Sequence, residues 1–142
     1  MAATTIDINT QRKYVERLVC DDVKIAAATT IPLGAMVGLN AAGEMINAAD
    51  VVGCTVVGRA PRRFVNAGAA AKVTPGAFAE AGVFRWITSG GSAVTAADIG
   101  KTVYVLDNQT VVKTAGTVNT IPAGTLDALD ADGGCWVKSP NC

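Results

Sequence analysis

The sequence predicts an all-β protein, with a small β-sandwich, jelly-roll-like or barrel body that follows an N-terminal arm. Short runs rich in Val, Ile, Thr and Tyr recur from residue 23 onward. Turn-forming Gly, Pro, Asn or Asp separates them at roughly 8–12-residue intervals, a spacing typical of sandwiches and barrels. The chain has 142 residues, which is enough for one domain with a substantial core.

The predicted arm covers residues 1–22 and the predicted body covers residues 23–142. Within the arm, Tyr14, Val15, Leu18 and Val19 are spaced i, i+1, i+4 and i+5, which predicts one or two helical turns. So short a helix is marginal in water on its own. We therefore expect the arm to dock, either on its own body or on a neighbouring molecule.

Nine strands are predicted in the body. They span residues 23–27, 35–40, 44–46, 51–59, 82–87, 102–106, 111–113, 121–128 and 134–138. The Ala-rich stretch 67–72 suggests a loop more than a short helix, because Gly68, Pro75 and Gly76 lie in or beside it.

Residues 100–102, Gly-Lys-Thr, match the end of a phosphate-binding loop. The full motif requires a Gly where this chain has Thr95, and a helix after the loop. Residues 102–106 are instead β-branched and aromatic, and a polar turn separates them from the β run 111–113. A hairpin is therefore predicted here, with Lys101 solvated at the strand entrance.

Side chains in the first strand of this hairpin should alternate between two faces. We expect Val103 and Val105 to face the core, and Tyr104 and Leu106 to lie on the opposite face.

The chain contains no histidine, which removes the commonest general base and the commonest zinc ligand. Its four cysteines form no Cys-x-x-Cys pair, and the first residues do not resemble an export signal. We therefore expect reduced thiols, buried by default at Cys54 and Cys135.

The run that contains Asp127, Asp130 and Asp132 could supply two carboxylates that act as general acid and base. The same run superficially resembles a calcium-binding loop. The calcium pattern requires ligands where this chain has Ala128 and Ser139, so two are missing. The simpler interpretation is a polar hairpin turn. We predict no catalytic residue, no metal site and no cofactor, and hence no enzyme.

Charge and composition favour a protein that associates with other proteins. The formal net charge is zero, so neither nucleic acid nor a membrane is an expected partner, and no transmembrane span is evident. Charged residues make up only 17%, against roughly 25% in typical soluble proteins, and half of the residues are apolar. Either part of the surface is covered in a self-associated or lattice-bound state, or the domain is simply Ala-rich.

The sharpest charge feature is the basic cluster Arg59, Arg62 and Arg63. It could pair with acidic residues of a protein partner, or form a solvated loop. Nucleic acid is less favoured, because no aromatic residues are interleaved with the arginines.

The arm carries a second candidate interface. Tyr14 and Leu18 would supply apolar anchors, and Arg12, Lys13 and Arg17 would steer the arm towards an acidic partner surface.

Two stretches, "VTAADIGKTVYVLDNQTV" and "IPAGTLDALDADGGCWVKSP", resemble the capsid decoration, or cement, proteins of tailed bacteriophages. Residues 32–48 have a similar character, and the resemblance extends over residues 23–140. The shared features are an Asp-x-Gly-Lys-x-Val-Tyr-Val strand, an Ala-Gly-Thr return and a final aromatic-Val pair. Here they are Asp98, Gly100, Lys101, Val103, Tyr104, Val105, Ala123, Gly124, Thr125, Trp136 and Val137.

The resemblance implies a structural virion protein that binds the outside of a phage capsid and stabilises the shell. The implied partner is the major capsid protein. The chain would be made in the host cytoplasm and end on the capsid exterior, as a homo-oligomer (dimer or trimer) at a capsid symmetry axis.

The alternative is a non-catalytic β-sandwich module of a phage fibre or head appendage that recognises carbohydrate or protein. The low aromatic content, 5%, disfavours a sugar platform.

Overall fold

The computed structural model describes residues 3–75, 77–114 and 121–140. These residues form thirteen strands and one turn of 3-10 helix, Ala96–Asp98. The strands are β1 (Arg12–Val19), β2 (Lys24–Ile25), β3 (Thr29–Ile31), β4 (Met36–Leu39), β5 (Met45–Asn47), β6 (Thr55–Arg59), β7 (Phe64–Asn66), β8 (Lys72–Val73), β9 (Ala79–Trp86), β10 (Thr102–Val105), β11 (Val111–Val112), β12 (Pro122–Leu129) and β13 (Cys135–Lys138).

One large sheet holds eleven of these strands. Its order is β11-β10-β12-β13-β9-β6-β4-β5-β2-β8, with β1 added to β9, while β3 and β7 form a small second sheet. The large sheet is mixed because β2 and β5 are parallel. A parallel bridge between Ile87 and Thr110 joins the end of β9 to the start of β11, so the sheet curls back on itself there. The predicted all-β, sandwich-like body is confirmed.

Two hydrophobic clusters form the core. The first, the barrel core, lies mainly between the curled strands β9 to β13 and includes Phe84, Val105 and Val137. The second lies under β2, β4, β5 and the small sheet, and is built around Ile25 and Phe64.

The hairpin after the Gly-Lys-Thr tripeptide is confirmed. β10 and β11 pair antiparallel, with Val105 opposite Val111. Val103 and Val105 are fully buried, whereas Tyr104 is only partly buried, so the predicted facing is correct. Lys101 is exposed at the strand entrance.

Most predicted strands are present with shifted ends, and three short ones, β3, β7 and β8, were not predicted. The predicted strand 51–59 begins only at Thr55, because residues 51–53 form a turn in which Gly53 has φ 89°. Residues 67–71 are irregular and β8 begins at Lys72, so the predicted loop is confirmed.

The predicted helix at Tyr14–Val19 is wrong, since these residues belong to strand β1. β1 pairs antiparallel with β9, but its register shifts between Arg12 and Tyr14 and again between Val15 and Arg17. Each shift is a bulge that adds one residue and interrupts the two-residue alternation of side chains. The bulge at Glu16 places Val15 and Leu18 on the same face of β1, opposite Gly82 and Glu80, and this three-residue spacing imitates a helix.

Candidate interaction surface

Strand β1 can pack closely on β9 because Gly82 of β9 has no side chain. A Cβ atom at Gly82 would collide with the carbonyl oxygen of Tyr14. Just before β1, the Arg85 N–H donates to the Gln11 carbonyl at 2.9 Å and extends the contact. The glycine thus allows the two backbones to approach closely.

The segment before β1, residues 3–11, is also bound to the body. Asn108 is buried and holds Thr4 twice: its Oδ1 accepts from the Thr4 N–H at 2.8 Å, and its Nδ2 donates to the Thr4 carbonyl at 3.1 Å. Further on, the Ile8 N–H donates to the Leu33 carbonyl and the Thr10 hydroxyl to the Gly34 carbonyl. The boundary at residue 22 stays a prediction, but most of the predicted arm makes backbone contacts with its own body.

Glu80 forms ion pairs with one arginine of the predicted arm and with one of the basic cluster 59–63. Glu80 of β9 accepts from Arg12 at 3.0 Å and from Arg59 at 3.1 Å. The side chains of Arg59 and Glu80 are 5% and 8% exposed, whereas that of Arg12 is 51% exposed. Burial is the main cause that lowers the pKa of Arg59, and the nearby Glu80 carboxylate opposes it.

Arg59 therefore corrects the prediction of a basic surface cluster. Arg59 is buried and ion-paired with Glu80, so it is not exposed beside Arg62 and Arg63 as the prediction of a surface cluster requires.

The other two arginines of that cluster are exposed. The Arg62 guanidinium lies 5.6 Å from the ring centres of both Phe64 and Phe78. Arg63 donates to Asp7 at 3.0 Å. The pKa of Asp7 is lowered mainly because its carboxylate accepts a hydrogen bond from the Leu33 N–H. The hydrogen bond from Arg63 lowers it further.

Arg62 lies near the end of β1. Phe78, under Arg62, precedes Ala79, and Ala79 pairs with Val19 at the end of β1. We call this region the β1 surface, and define it as the exposed residues of β1 together with Arg62.

Apolar side chains are exposed in the middle of the β1 surface. Leu18 is 59% exposed, Tyr14 45% and Val15 37%. Charged residues alternate with them, and Lys13 forms an exposed ion pair with Asp127 at 3.1 Å. Six of the eight predicted interface residues lie on the β1 surface as defined: Arg12, Lys13, Tyr14, Arg17, Leu18 and Arg62. Arg63 is exposed between β6 and β7, Arg59 is buried, and the role of these residues in an interface stays a prediction.

The three carboxylates near the C-terminus serve other roles. Arg85 of β9 donates to Asp130 at 2.9 Å and to Asp132 at 2.6 Å, and the Trp136 indole N–H donates to Asp130. Residues 130–134 turn between β12 and β13, so the hairpin interpretation is confirmed. Among the described residues, no group of three or more Asp, Glu, Cys or His side chains is arranged to hold a metal ion.

Cys54 and Cys135 are buried free thiols, as predicted, and Cys20 is a partly buried free thiol. Burial raises the pKa of all three, that of Cys135 to about 11, so they are weak nucleophiles near neutral pH. Cys142 lies outside the described residues.

A small cleft of about 230 Å³ lies between the segment 8–11 and the end of β9. Its walls are Ile8, Asn9, Thr10, Gln11, Arg85, Trp86, Ile87 and Gln109.

The sequence did not reveal the roles of Glu80, Gly82 and Asn108. Glu80 did carry a signal, since it is a single carboxylate within the apolar run 77–84. Buried carboxylates are usually paired with a cation, so a buried arginine could have been expected.

Comparison with known protein families, characterised proteins and solved structures gives no match. In the part of the chain that the structure describes, no helix is long and apolar enough to cross a membrane.

Proposed function

We propose that this chain is a structural virion protein that binds the outside of a phage capsid and stabilises the shell. The β1 surface is the observation that carries this proposal, because apolar Tyr14, Val15 and Leu18 are exposed beside basic side chains. Val15 and Leu18 share one face of β1, and exposed apolar residues with a polar rim are typical of protein contact sites. The capsid itself is suggested by the sequence resemblance, and the major capsid protein is the proposed partner.

The attachment of β1 suits such a role. Its residues are already ordered along β9, so binding need not order a flexible arm. A protein that binds only the assembled shell stabilises that shell by mass action. Many copies on one shell add their contributions, so a modest affinity for each contact is sufficient.

The β1 surface carries more basic than acidic side chains, which suits an acidic partner. Arg12, Lys13, Arg17 and Arg62 lie on it together with Glu16, and Arg12 and Lys13 are ion-paired within the chain with Glu80 and Asp127. Such a surface would speed association with an acidic shell, and the binding should weaken as salt is raised.

The carbohydrate-binding alternative has less support. Sugar platforms use several exposed aromatic rings. Among the described aromatic residues only Tyr14 is exposed, while Trp86 is buried and Trp136 is partly buried.

The first experiment quantifies this chain on heads purified from the virus that encodes it. The proposal expects a fixed ratio of the chain to the shell protein that persists through a density gradient. Heads that lack the chain would overturn it.

The second experiment measures rebinding of the purified protein to undecorated shells by co-sedimentation. Arg62→Glu should weaken binding by roughly tenfold or more, because it opposes an acidic partner with a like charge. Lys101→Glu is the matched control, since it makes the same charge change at an exposed residue outside the β1 surface. Equal binding by both variants would contradict the assignment of this surface. Point variants are preferable to truncation, because removing β1 would uncover β9.

A further inference from the structure

The turn between β12 and β13 contains Asp132-Gly133, the only place in the sequence where Gly follows Asp or Asn. Gly has no side chain to shield its backbone nitrogen, so this nitrogen can reach the side-chain carboxyl group of the preceding Asp. We propose that Asp132-Gly133 is a site of spontaneous backbone modification, at which Asp132 converts to isoaspartate, and that Arg85 controls the rate.

The reaction needs only water and neither oxidises nor reduces the chain. The Gly133 nitrogen attacks Cγ of Asp132, the protonated carboxyl group loses its hydroxyl and the nitrogen loses its proton. The hydroxyl and the proton leave together as water, and a succinimide ring closes. A second water then opens the ring. Addition at the backbone carbonyl carbon of Asp132 gives isoaspartate, whereas addition at Cγ restores Asp132.

The folded turn is closed against this reaction. The Gly133 N–H donates to the Asp130 carbonyl at 2.9 Å, so the nitrogen that would attack is already engaged. The carboxylate that would be attacked is engaged as well, because Oδ1 of Asp132 accepts from Arg85 at 2.6 Å and from the Gly134 N–H at 3.2 Å. Asp132 therefore reacts only when the turn opens.

Arg85 holds the turn through several contacts. It also donates to Asp130 at 2.9 Å, and a Cβ atom at Gly134 would collide with its guanidinium group. One arginine of β9 thus connects both carboxylates of the turn to the sheet. Loss of this side chain should increase the fraction of molecules in which the turn is open, and the modification should accelerate in proportion.

The site is otherwise suited to the reaction. The Asp132 side chain is 72% exposed, so water reaches it. No atom lies within 4 Å of a Cβ built at Gly133, so there is space for the ring. Isoaspartate places an additional carbon in the backbone and a carboxylate directly on Cα, so the contact with Arg85 in its present geometry would be lost.

The test ages the purified protein at neutral pH and physiological temperature, so its outcome is independent of the capsid proposal. Peptide mapping with electron-transfer mass spectrometry distinguishes isoaspartate from aspartate. Isoaspartate should accumulate at residue 132, and Arg85→Gln should form it about two- to fivefold faster, as expected for the loss of a partly exposed ion pair. In water enriched in heavy oxygen, the product should carry one heavy oxygen atom.

Three matched variants separate the chemistry from general loosening of the protein. Asp132→Glu should form no product at this position, because the longer side chain does not close the same ring. Arg62→Gln makes the same change at an exposed arginine outside the turn and should leave the rate unchanged. Asp130→Asn removes one partner of Arg85 but keeps the Arg85–Asp132 contact, so it should accelerate the reaction less than Arg85→Gln does.

Circular dichroism verifies folding of each variant. If Arg85→Gln unfolds, wild-type protein in urea is compared with folded wild type, and the unfolded chain should react faster. A folded wild type that forms no isoaspartate at residue 132, or a rate that neither Arg85→Gln nor unfolding raises, would overturn the proposal. Equal acceleration by Asp130→Asn and Arg85→Gln would overturn the role of Arg85.

Discussion

Strands β1 and β9 are partners of equal length with opposite surroundings. Each has eight residues, but seven residues of β9 are buried and seven of β1 are exposed. β9 pairs with β6 and β13 as well as with β1, whereas β1 has only β9 among the described strands. The difference shows that membership of a sheet does not determine burial, which depends on how many neighbours cover the strand and its faces.

The compositions of the two strands fit their positions. β9, Ala-Glu-Ala-Gly-Val-Phe-Arg-Trp, has two charged residues, and both are neutralised by ion pairs within the chain. β1, Arg-Lys-Tyr-Val-Glu-Arg-Leu-Val, has four, as is common for edge strands that must avoid unspecific pairing. The exposed apolar residues between those charges are the reason why β1 is the proposed contact surface.

The largest expected difference in stability is between Val→Asp substitutions on β9 and on β1. Val83→Asp should abolish folding, because Val83 is 2% exposed and the new carboxylate would be buried without a cation. Val15→Asp, on the partner strand, should change the free energy of unfolding by only about 0.5 kcal/mol, since Val15 is 37% exposed. Urea denaturation followed by circular dichroism measures both, and similar losses in the two variants would contradict the comparison.

The two ion pairs of Glu80 allow a buried partner, Arg59, to be compared with an exposed partner, Arg12. Glu80→Gln leaves Arg59 buried without a counter-charge and should lower the free energy of unfolding by about 3–5 kcal/mol. Arg12→Gln removes the exposed partner of the same carboxylate and should change it by about 1 kcal/mol or less. A Glu80→Gln protein that is as stable as Arg12→Gln would show that the buried pair is not important for folding.

Gly82→Ala should loosen the contact between the two strands. The added methyl group would meet the Tyr14 carbonyl oxygen, so β1 must shift away, with an expected destabilisation of about 1–3 kcal/mol. Hydrogen exchange should accelerate at the β1 amides more than at those of β10 to β13. Gly91→Ala is the control, because no atom lies within 4 Å of a Cβ there, and it should leave exchange unchanged.

The smallest expected effect concerns Arg85, the partly buried basic residue of β9. Its hydrogen bond is the main cause that holds the pKa of Asp130 below the usual value of 3.8, and the Trp136 N–H adds to the effect. Because the folded-state pKa is depressed, this contribution to stability is present above pH 3.8 and is lost as the pH falls through the folded-state value.

Asp130→Asn should therefore lower stability slightly at pH 7 and flatten its decline in acid. Thermal unfolding between neutral and acidic pH measures this. Asp127→Asn, which removes the exposed partner of Lys13, is the control and should change stability at pH 7 little. An acid profile that Asp130→Asn does not alter would contradict the role of the Arg85 contact.

The sequence predicted the body better than the arm. The hairpins β10–β11 and β12–β13 join residues close in the chain, and their turns carry Asp, Asn and Gly, so local chemistry was sufficient to predict them. The candidate surface was predicted in part. Its charged and apolar residues were recognised, but not the strand that carries them, nor the burial of Arg59.

By itself, the sequence determined the all-β class, most strands and the facing of Val103 and Val105, because each depends on propensities and alternation within a few residues. Only the tertiary structure decided that β1 is a strand, that Arg12 and Arg59 share Glu80, and that Asn108 holds Thr4. Arg12 and Glu80 are 68 residues apart, and Thr4 and Asn108 are 104 apart. Contacts at such separations depend on how the whole chain packs. In β1, two bulges also removed the alternation by which a strand is recognised.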